Sequence, residues 1–427
     1  MLLIEKHPFL GGSLTAMGVG PMMSFHNRAG RQVVRGLPQE LVDRLVARQA
    51  SPGHIPDSTT YCATVTPFDS EALKVELESM LQEAGGTLLY HTQLAATEVS
   101  HGRIQSVTLC NKAGLTRMTA SVFIDATGDA DLAAQAGVSF QKGREGDGAM
   151  QPLTMNLKVG NVNTHAIREY VLAHPDDFNF PHGQEEGMRR VRETPRLSLG
   201  GFKAAWNQAR ERGEVDVPRD DVLFFETATP GVLIFNTSRI QGLDPTDPYA
   251  LTEAEAIGRR QCQQIFRFLK KYCPGFADAI RMDTAAQVGV RESRHVRGLY
   301  TLTQEDLLTC RDFPDPIAMG GYPIDIHSPD GVNTHTTHLA PDSAYAIPLR
   351  SILVEEPTNL LVAGRCLSAT HEASAATRVT PIAMAIGQAA GTVAAISCQR
   401  GCLPKELPYA VLRESLRTQG VCLPQTE

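Results

Sequence analysis

The sequence lacks the features that would assign several common classes at once. Its nine cysteines (Cys62, Cys110, Cys262, Cys273, Cys310, Cys366, Cys398, Cys402 and Cys422) are odd in number and contain no C-x-x-C pair. They do not form a disulfide framework and read as reduced thiols in a cytoplasmic protein. Iron–sulfur ligation usually shows closely spaced cysteines, and only Cys398 and Cys402 are close. No basic block appears and the formal net charge is −7, which disfavours nucleic acid or an anionic membrane surface as a bulk partner. No charged segment followed by a long apolar stretch marks a secretory signal. There is no internal repeat and no low-complexity tract. His335 and His338 form an H-x-x-H, but no neighbouring acid or cysteine completes a metal set, so no metal site is expected there or at His327.

Another absence lies at the start. Met1–Ile4 is a short apolar run that ends in an acid, Glu5, and a loop with Gly11-Gly12 follows. In a dinucleotide-binding domain an acid at the end of the second strand takes the adenosine ribose. The glycine fingerprint G-x-G-x-x-G belongs about 20 residues earlier in that design. Here nothing precedes the acid-ended strand. The expectation is a nucleotide-binding domain entered at its second strand. On that reading either Met1 is not the true start, or this chain binds its nucleotide poorly and folds marginally.

What is present fits an enzyme of two or more domains. The chain has 427 residues, 42% apolar and 20% charged. Helices are predicted from Pro38 to Ala47 and, capped by Asp69, from Ser70 to Ala84, where Gly85-Gly86 stops the chain. Strands follow at 87–91, 95–99 and 104–110, with a turn at His101-Gly102, and residues 117–126 lead into V-F-I-D-A-T-G. After about Gly143 the pattern becomes mixed, with helices at 166–173, 202–212 and 253–272 and strands at 222–226 and 231–236. The apolar strand N-L-L-V-A-G-R returns at 359–365. Thr380 reads as a helix cap and Pro381 as the first helical residue of I-A-M-A-I-G-Q-A-A-G, a thin helix able to pack close to a sheet. Residues 381–398 sit at the lower length limit for a membrane span, and a cofactor-packing helix is the favoured reading.

The stretches LLIEKHPFLGG, FIDATGDADLAAQAG, GREGDGAMQPLT, VGVRESRHVRGLYTLTQEDL, GGYPIDIH and LLVAGRCLSATHEASAATRVTPIAMAIGQAAGTVAA carry a resemblance. Together they resemble the FAD-dependent oxidoreductase family related to the flavoprotein subunit of heterodisulfide reductase, and more distantly the fumarate reductase flavoproteins. The resemblance implies an α/β fold. A Rossmann-like FAD-binding domain, three-layered with a mostly parallel sheet and a β-meander, would carry an inserted α+β substrate domain. The corresponding boundaries are 1–142 for the first part of the FAD domain, 143–346 for the insert, 347–403 for its return and 404–427 for a helical tail. FAD is the implied cofactor; an iron–sulfur cluster enters only as a family-level association. Glu5 would bind the ribose and Gly11 and Gly12 would approach the cofactor. Thr127, Gly128, Asp129, Gly364 and Arg365 would line it. The helix start at Thr380 and Pro381, with the N–H groups of Ile382 and Ala383, would face the electron-rich end of the flavin.

Two clusters are candidates for the chemistry. Arg291-Glu292-Ser293-Arg294-His295 places two arginines three apart, on one face if the segment is helical. Paired guanidiniums suit a carboxylate substrate or the cofactor's phosphates. His371 and Arg378 lie in the loop before the flavin-facing helix, and His371 can move a proton near neutral pH. Arg291, Arg294, His371 and Arg378 are expected to converge on a small organic anion beside the flavin, with an unidentified electron donor or acceptor. A homo-oligomer is left open. A nicotinamide-dependent dehydrogenase, for which the acid-ended strand serves equally, and a truncated non-catalytic relic stay as alternatives.

Overall fold

The computed structural model describes residues 1–424. Two parallel strand pairs frame the first half of the design. Leu2–Ile4 runs beside Thr87–Leu89, and Phe123–Asp125 beside Leu360–Val362. Among the described residues neither pair gains a third strand. Gln93–Ser100, Arg103–Asn111 and Gly114–Met118 form the antiparallel meander. Its first turn holds His101 at φ 51° and Gly102 at φ 66°, the two positive φ values that let a two-residue hairpin follow strand twist. The stretch leading into V-F-I-D-A-T-G holds the end of the strand Gly114–Met118, which belongs to the meander, and Phe123–Asp125, which belongs to the parallel pair.

Local sequence explains the helices. The Asp69 carboxylate accepts from the N–H groups of Glu71 and Ala72, satisfying two donors that the helix Ser70–Glu83 leaves open. Asp247 does the same for Tyr249 and Ala250 at the start of Pro248–Tyr272. The long helix Thr380–Arg400 packs on the strands Pro316–Gly320, Phe123–Asp125 and Leu360–Val362. It is long and apolar enough to cross a membrane by length and composition, yet Ile382, Ala385, Ile386, Ala389, Ala390 and Val393 are buried in the core. Close packing uses the alanines. A Cβ added at Gly387 or Gly391 would meet nothing, so those glycines face outward rather than making the helix thin against a sheet. The tail helix is Tyr409–Thr418; residues 425–427 of the expected tail lie outside the described residues.

Two separate apolar cores result. The second is built on a five-stranded antiparallel sheet in the order 198–201, 222–226, 233–235, 157–160, 280–284. Trp206 and Phe268 meet edge to face at 4.9 Å inside it. Its members run from Leu153 to Val290, joined by Met17, whereas the first core takes residues up to Val138 and resumes at Val296. Residues 296–346 therefore pack with the first core, earlier than the return expected at 347. The strand Pro316–Gly320 explains this, since it pairs with Tyr345–Pro348 under the long helix. The two crossings between the cores are stitched together: Thr154 N–H donates to Gly289 O at 3.0 Å, and Gly289 N–H to Thr154 O at 2.7 Å.

Candidate functional site

The strand Phe123–Asp125 ends in a buried acid that shapes the loop after it. Asp125 Oδ1 accepts from the Thr127 N–H at 3.0 Å and the Thr127 hydroxyl at 2.7 Å, and Oδ2 accepts from Ala133 N–H at 2.8 Å. Burial raises its pKa, and these bonds oppose that rise. Thr127 thus spends its polar groups on the turn. Gly128 takes φ 82°, in the left-handed region, and a Cβ there would stand 2.8 Å from Arg365 Nη2. Arg365 in turn donates to Gly128 O (3.1 Å), Asp129 Oδ1 (2.7 Å) and Val290 O (2.8 Å). Arg365 and Asp129 are a clamp between segments, and their charges are spent on each other.

Arg294 joins that clamp and leaves the expected quartet. It donates to Asp129 O and Asp131 Oδ1, both at 2.8 Å. The segment is extended, with Arg294–Val296 a strand beside Phe140–Lys142, so the expectation of a helical face shared with Arg291 fails. On extended chain, residues three apart point to opposite sides.

Behind the clamp lies a buried triad. Glu292 Oε1 is 2.7 Å from His295 Nε2 and 2.8 Å from His371 Nδ1, and Oε2 accepts from Gln151 N–H at 2.9 Å. Burial pushes the Glu292 pKa up, but the hydrogen bonds and charge of the two histidines outweigh it and hold the carboxyl at about 2. Thr370 caps the helix His371–Thr377 and so sets the direction of His371.

Beyond Gln151 the polar groups become cationic. Arg291 donates to Pro152 O at 2.7 Å, to Thr154 Oγ1 and to Asn236 Oδ1 at 3.2 Å, all neutral acceptors. Burial first, then repulsion from Arg378, Arg219 and Arg239, lowers its pKa well below the usual value. Arg378 reaches Gln151 Oε1 (3.3 Å) and Asp325 O (3.2 Å). Arg239 gives Nη2 to the carbonyls of Ser328 and Asn333, and burial followed by Arg219 lowers it to about 10. Asp325 is the one carboxylate acting on all of Arg239, Arg291 and His327; burial raises its pKa, but His327 and Arg378 hold it well below the carboxylate range. His327 is driven to about 3 by burial and then by Arg291, so it is neutral. Arg239 Nε, Arg378 Nε and Gln151 Nε2 are buried without a hydrogen-bond partner. No group of three or more His, Cys, Asp or Glu side chains placed to hold a metal ion gathers among the described residues.

The cofactor-binding candidates divide in the same way. Glu5 Oε1 accepts from His7 N–H at 2.8 Å, and Oε2 has no hydrogen-bond partner among the described residues. Gly11 has φ 111° and a Cβ there would overlap Thr15, so it serves the turn, whereas Gly12 and Gly364 face open space. The long helix starts one residue earlier than expected: Val379, not Thr380, is the N-cap and makes no side-chain bond, and Thr380 is the first helical residue. Ala383 N–H donates to Val379 O at 2.9 Å and is not free. Among the described residues the N–H groups of Thr380 and Ile382 have no acceptor, and Pro381 has none to give. Two unpaired amides at the start of a 21-residue helix, two open glycines and one free carboxylate oxygen fit a flavin dinucleotide.

Sequence comparison now decides the family, because the profile described as FAD dependent oxidoreductase matches residues 1–416. The chain belongs to the FAD-dependent oxidoreductase family. FAD is the cofactor of this family. No curated protein matches the chain. Similar solved structures include a geranylgeranyl bacteriochlorophyll reductase-like protein from Thermoplasma acidophilum, 10% identical with a TM-score of 0.40. That match covers 84% of this chain and 62% of the other, so the chain spans less than two thirds of its length. The p-nitrophenol 4-monooxygenase of Pseudomonas putida is 9% identical, with coverage of 98% and 74% and a TM-score of 0.41. The myxobacterial chondrochloren halogenase is 12% identical, with coverage of 98% and 73% and a TM-score of 0.43.

Sequence reasoning brought Arg291, Arg378 and His371 to one region and missed Asp125, Gln151, Arg239, Glu292 and Asp325. The signal for Asp125 was present, since an acid ends the apolar run V-F-I-D before a glycine. Glu292 was visible only as one member of a charged run. Nothing local marks Arg239, which arrives from the second core.

Proposed function

We propose that the protein is an FAD-dependent oxidoreductase whose substrate is a small organic anion. The observation that carries the anion is the group Arg239, Arg291 and Arg378. These cations are bound to neutral acceptors and face one shared carboxylate, and Arg239 and Arg378 each keep an unpaired buried Nε–H. Uncompensated buried charge is costly, and an anion seated among the guanidiniums relieves it. The parallel pairs and the meander support reading the segments before and after the second core, up to Val138 and from Val296 on, as a Rossmann-like cofactor domain, with a substrate domain between them. Kinship with the heterodisulfide reductase flavoprotein belongs to the same proposal.

FAD, when bound, supplies the two-electron acceptor or donor. Glu5 Oε2 would take the ribose, Gly12 and Gly364 would admit the cofactor to the backbone, and Thr380 and Ile382 would give their N–H groups to its electron-rich edge. The arginines fix the substrate's charged end, and Asp325 orients Arg378 by accepting from it at its backbone carbonyl. His371 exchanges a proton with the substrate.

The test has two arms. FAD and NAD are titrated separately into the protein; saturable binding of FAD with flavin absorbance retained after gel filtration is expected, and binding of NAD alone refutes the cofactor reading. Acetate, malonate and phosphate are then added as probe anions while melting is followed. A probe at 100 times its Kd stabilises by about 2.7 kcal/mol. With about 2.1 cal/mol/K of unfolding entropy per residue, a 427-residue chain then melts about 3 °C higher. Arg291→Met should abolish the rise, and Arg294→Met, which alters the separate clamp, should keep it. No rise with any probe, or a rise that survives Arg291→Met, overturns the anion site.

A further inference from the structure

Three features left out of the cofactor and anion readings meet at one point. Glu292 is fully buried and holds two imidazoles, not one. His295 gives Glu292 its Nε2, and its Nδ1 is buried with no partner. His371 gives Glu292 its Nδ1, and its Nε2 makes no hydrogen bond among the described residues in a side chain 4% exposed. The two histidines are therefore not equivalent. They face the same carboxylate through different ring nitrogens, His295 through Nε2 and His371 through Nδ1.

We infer that Glu292 is a positioning residue that fixes His371 as its Nδ1–H tautomer, leaving the Nε2 lone pair as the proton acceptor of the site. The inference rests on the proposed oxidoreductase reading for the proton's purpose, but its geometry does not. An ionised carboxylate accepts only, so each imidazole nitrogen facing it must carry hydrogen. A neutral ring with hydrogen on Nδ1 has its lone pair on Nε2. When a substrate X–H bond breaks, its proton forms the Nε2–H bond. The imidazolium so produced keeps its Nδ1–H on Glu292, whose negative charge balances it. The X–H electron pair becomes the second bond of X=C as the neighbouring C–H bond breaks and gives up its hydrogen with its electron pair, a hydride that FAD, when bound, would accept. His295 cannot take this role, because its free nitrogen reaches nothing. It instead supplies a second N–H that keeps Glu292 ionised in an apolar setting. Gln151 completes the arrangement: its N–H holds Glu292 Oε2 and its side-chain oxygen holds Arg378, joining the proton acceptor to the anion site by one residue.

The experiment is a long-range 1H–15N correlation spectrum of histidine-labelled protein without added flavin, with His371 assigned from the signal lost in His371→Gln. Wild type should show the Nδ1–H tautomer for His371, and wild type showing Nε2–H overturns the inference whatever the variants do. Glu292→Gln should raise the Nε2–H share at least tenfold, because an amide can donate to Nδ1 as well as accept. His295→Gln leaves the Glu292–His371 bond and should leave the His371 tautomer unchanged. A purely structural Glu292 would lower melting temperature in Glu292→Gln while the tautomer stayed fixed, and that result also overturns the inference. Because no flavin is used, failure of FAD binding and failure of this arrangement are read separately.

Discussion

Arg365→Met removes the clamp that joins the Gly128-Asp129 loop to the chain at Val290. Arg365 makes three charge-bearing hydrogen bonds, to Gly128 O, Asp129 Oδ1 and Val290 O. Each bond to a charged group contributes about 1.5–3 kcal/mol net, so simple addition gives about 4.5–9 kcal/mol. Addition overstates the loss, because the partners are coupled and Asp129 keeps the Ser293 hydroxyl. Side-chain exposures of 15% and 20% for Arg365 and Asp129 leave little solvent screening. The case is close to a buried pair broken on one side, about 3–5 kcal/mol. Arg365→Lys keeps the charge but not the fork, and should lose about half as much. Urea unfolding followed by circular dichroism measures both through the midpoint at constant slope. A loss under about 1 kcal/mol for Arg365→Met would refute the reasoning, since it would mean that water replaces all three bonds at no cost.

Glu5→Ala should weaken FAD binding by about 1–3 kcal/mol, and equal affinity in a flavin titration would remove Glu5 from the site. Gly128→Ala combines a strained φ with a Cβ 2.8 Å from Arg365, and should lower stability by about 1–3 kcal/mol in the same urea assay. On the acid side, Glu292 is held at about 2 in the fold, below its unfolded value, so its contribution is present above about pH 4.5 and lost as pH falls towards 2. That contribution is about 3 kcal/mol at one unit per 1.36 kcal/mol, and melting temperature against pH should show it flatten in Glu292→Gln. Burial holds His54 at about 4 and His327 at about 3. The unfolded chain therefore binds protons first, and stability should already fall as pH drops below about 6.5, less steeply in His54→Gln.

The parts legible in the sequence were those written in local chemistry. Asp69 announced its helix because a short acid before an apolar-periodic run satisfies free N–H groups. The strand 222–226 appeared where β-branched and aromatic residues cluster. The glycine at 128 was marked by its place after the strand and read as a close approach to the cofactor, whereas its φ of 82° and the guanidinium of Arg365 beside it make it a turn residue. What was not legible depends on which chain segment arrives opposite. Arg291 and Arg294 look alike in sequence, and only the extended backbone and the facing Asp129 and Asp131 separate them. Glu292 looked like part of a solvated charged run because its partners are a neighbour at His295 and a residue 79 positions away, His371. The start of the long helix was misjudged by one residue, which was enough to place the free amide at Thr380 rather than Ala383.

The paired crossings at Thr154 and Gly289 have a mechanical consequence. Gln151 and Glu292 sit just outside that pair, on the two chain segments that leave one core for the other. The mutual backbone bonds hold the two segments in one register, so Gln151, Arg291 and Glu292 keep their positions relative to one another although they come from distant parts of the chain. A change in that pair of bonds reaches the carboxylate–imidazole group and the guanidinium group together.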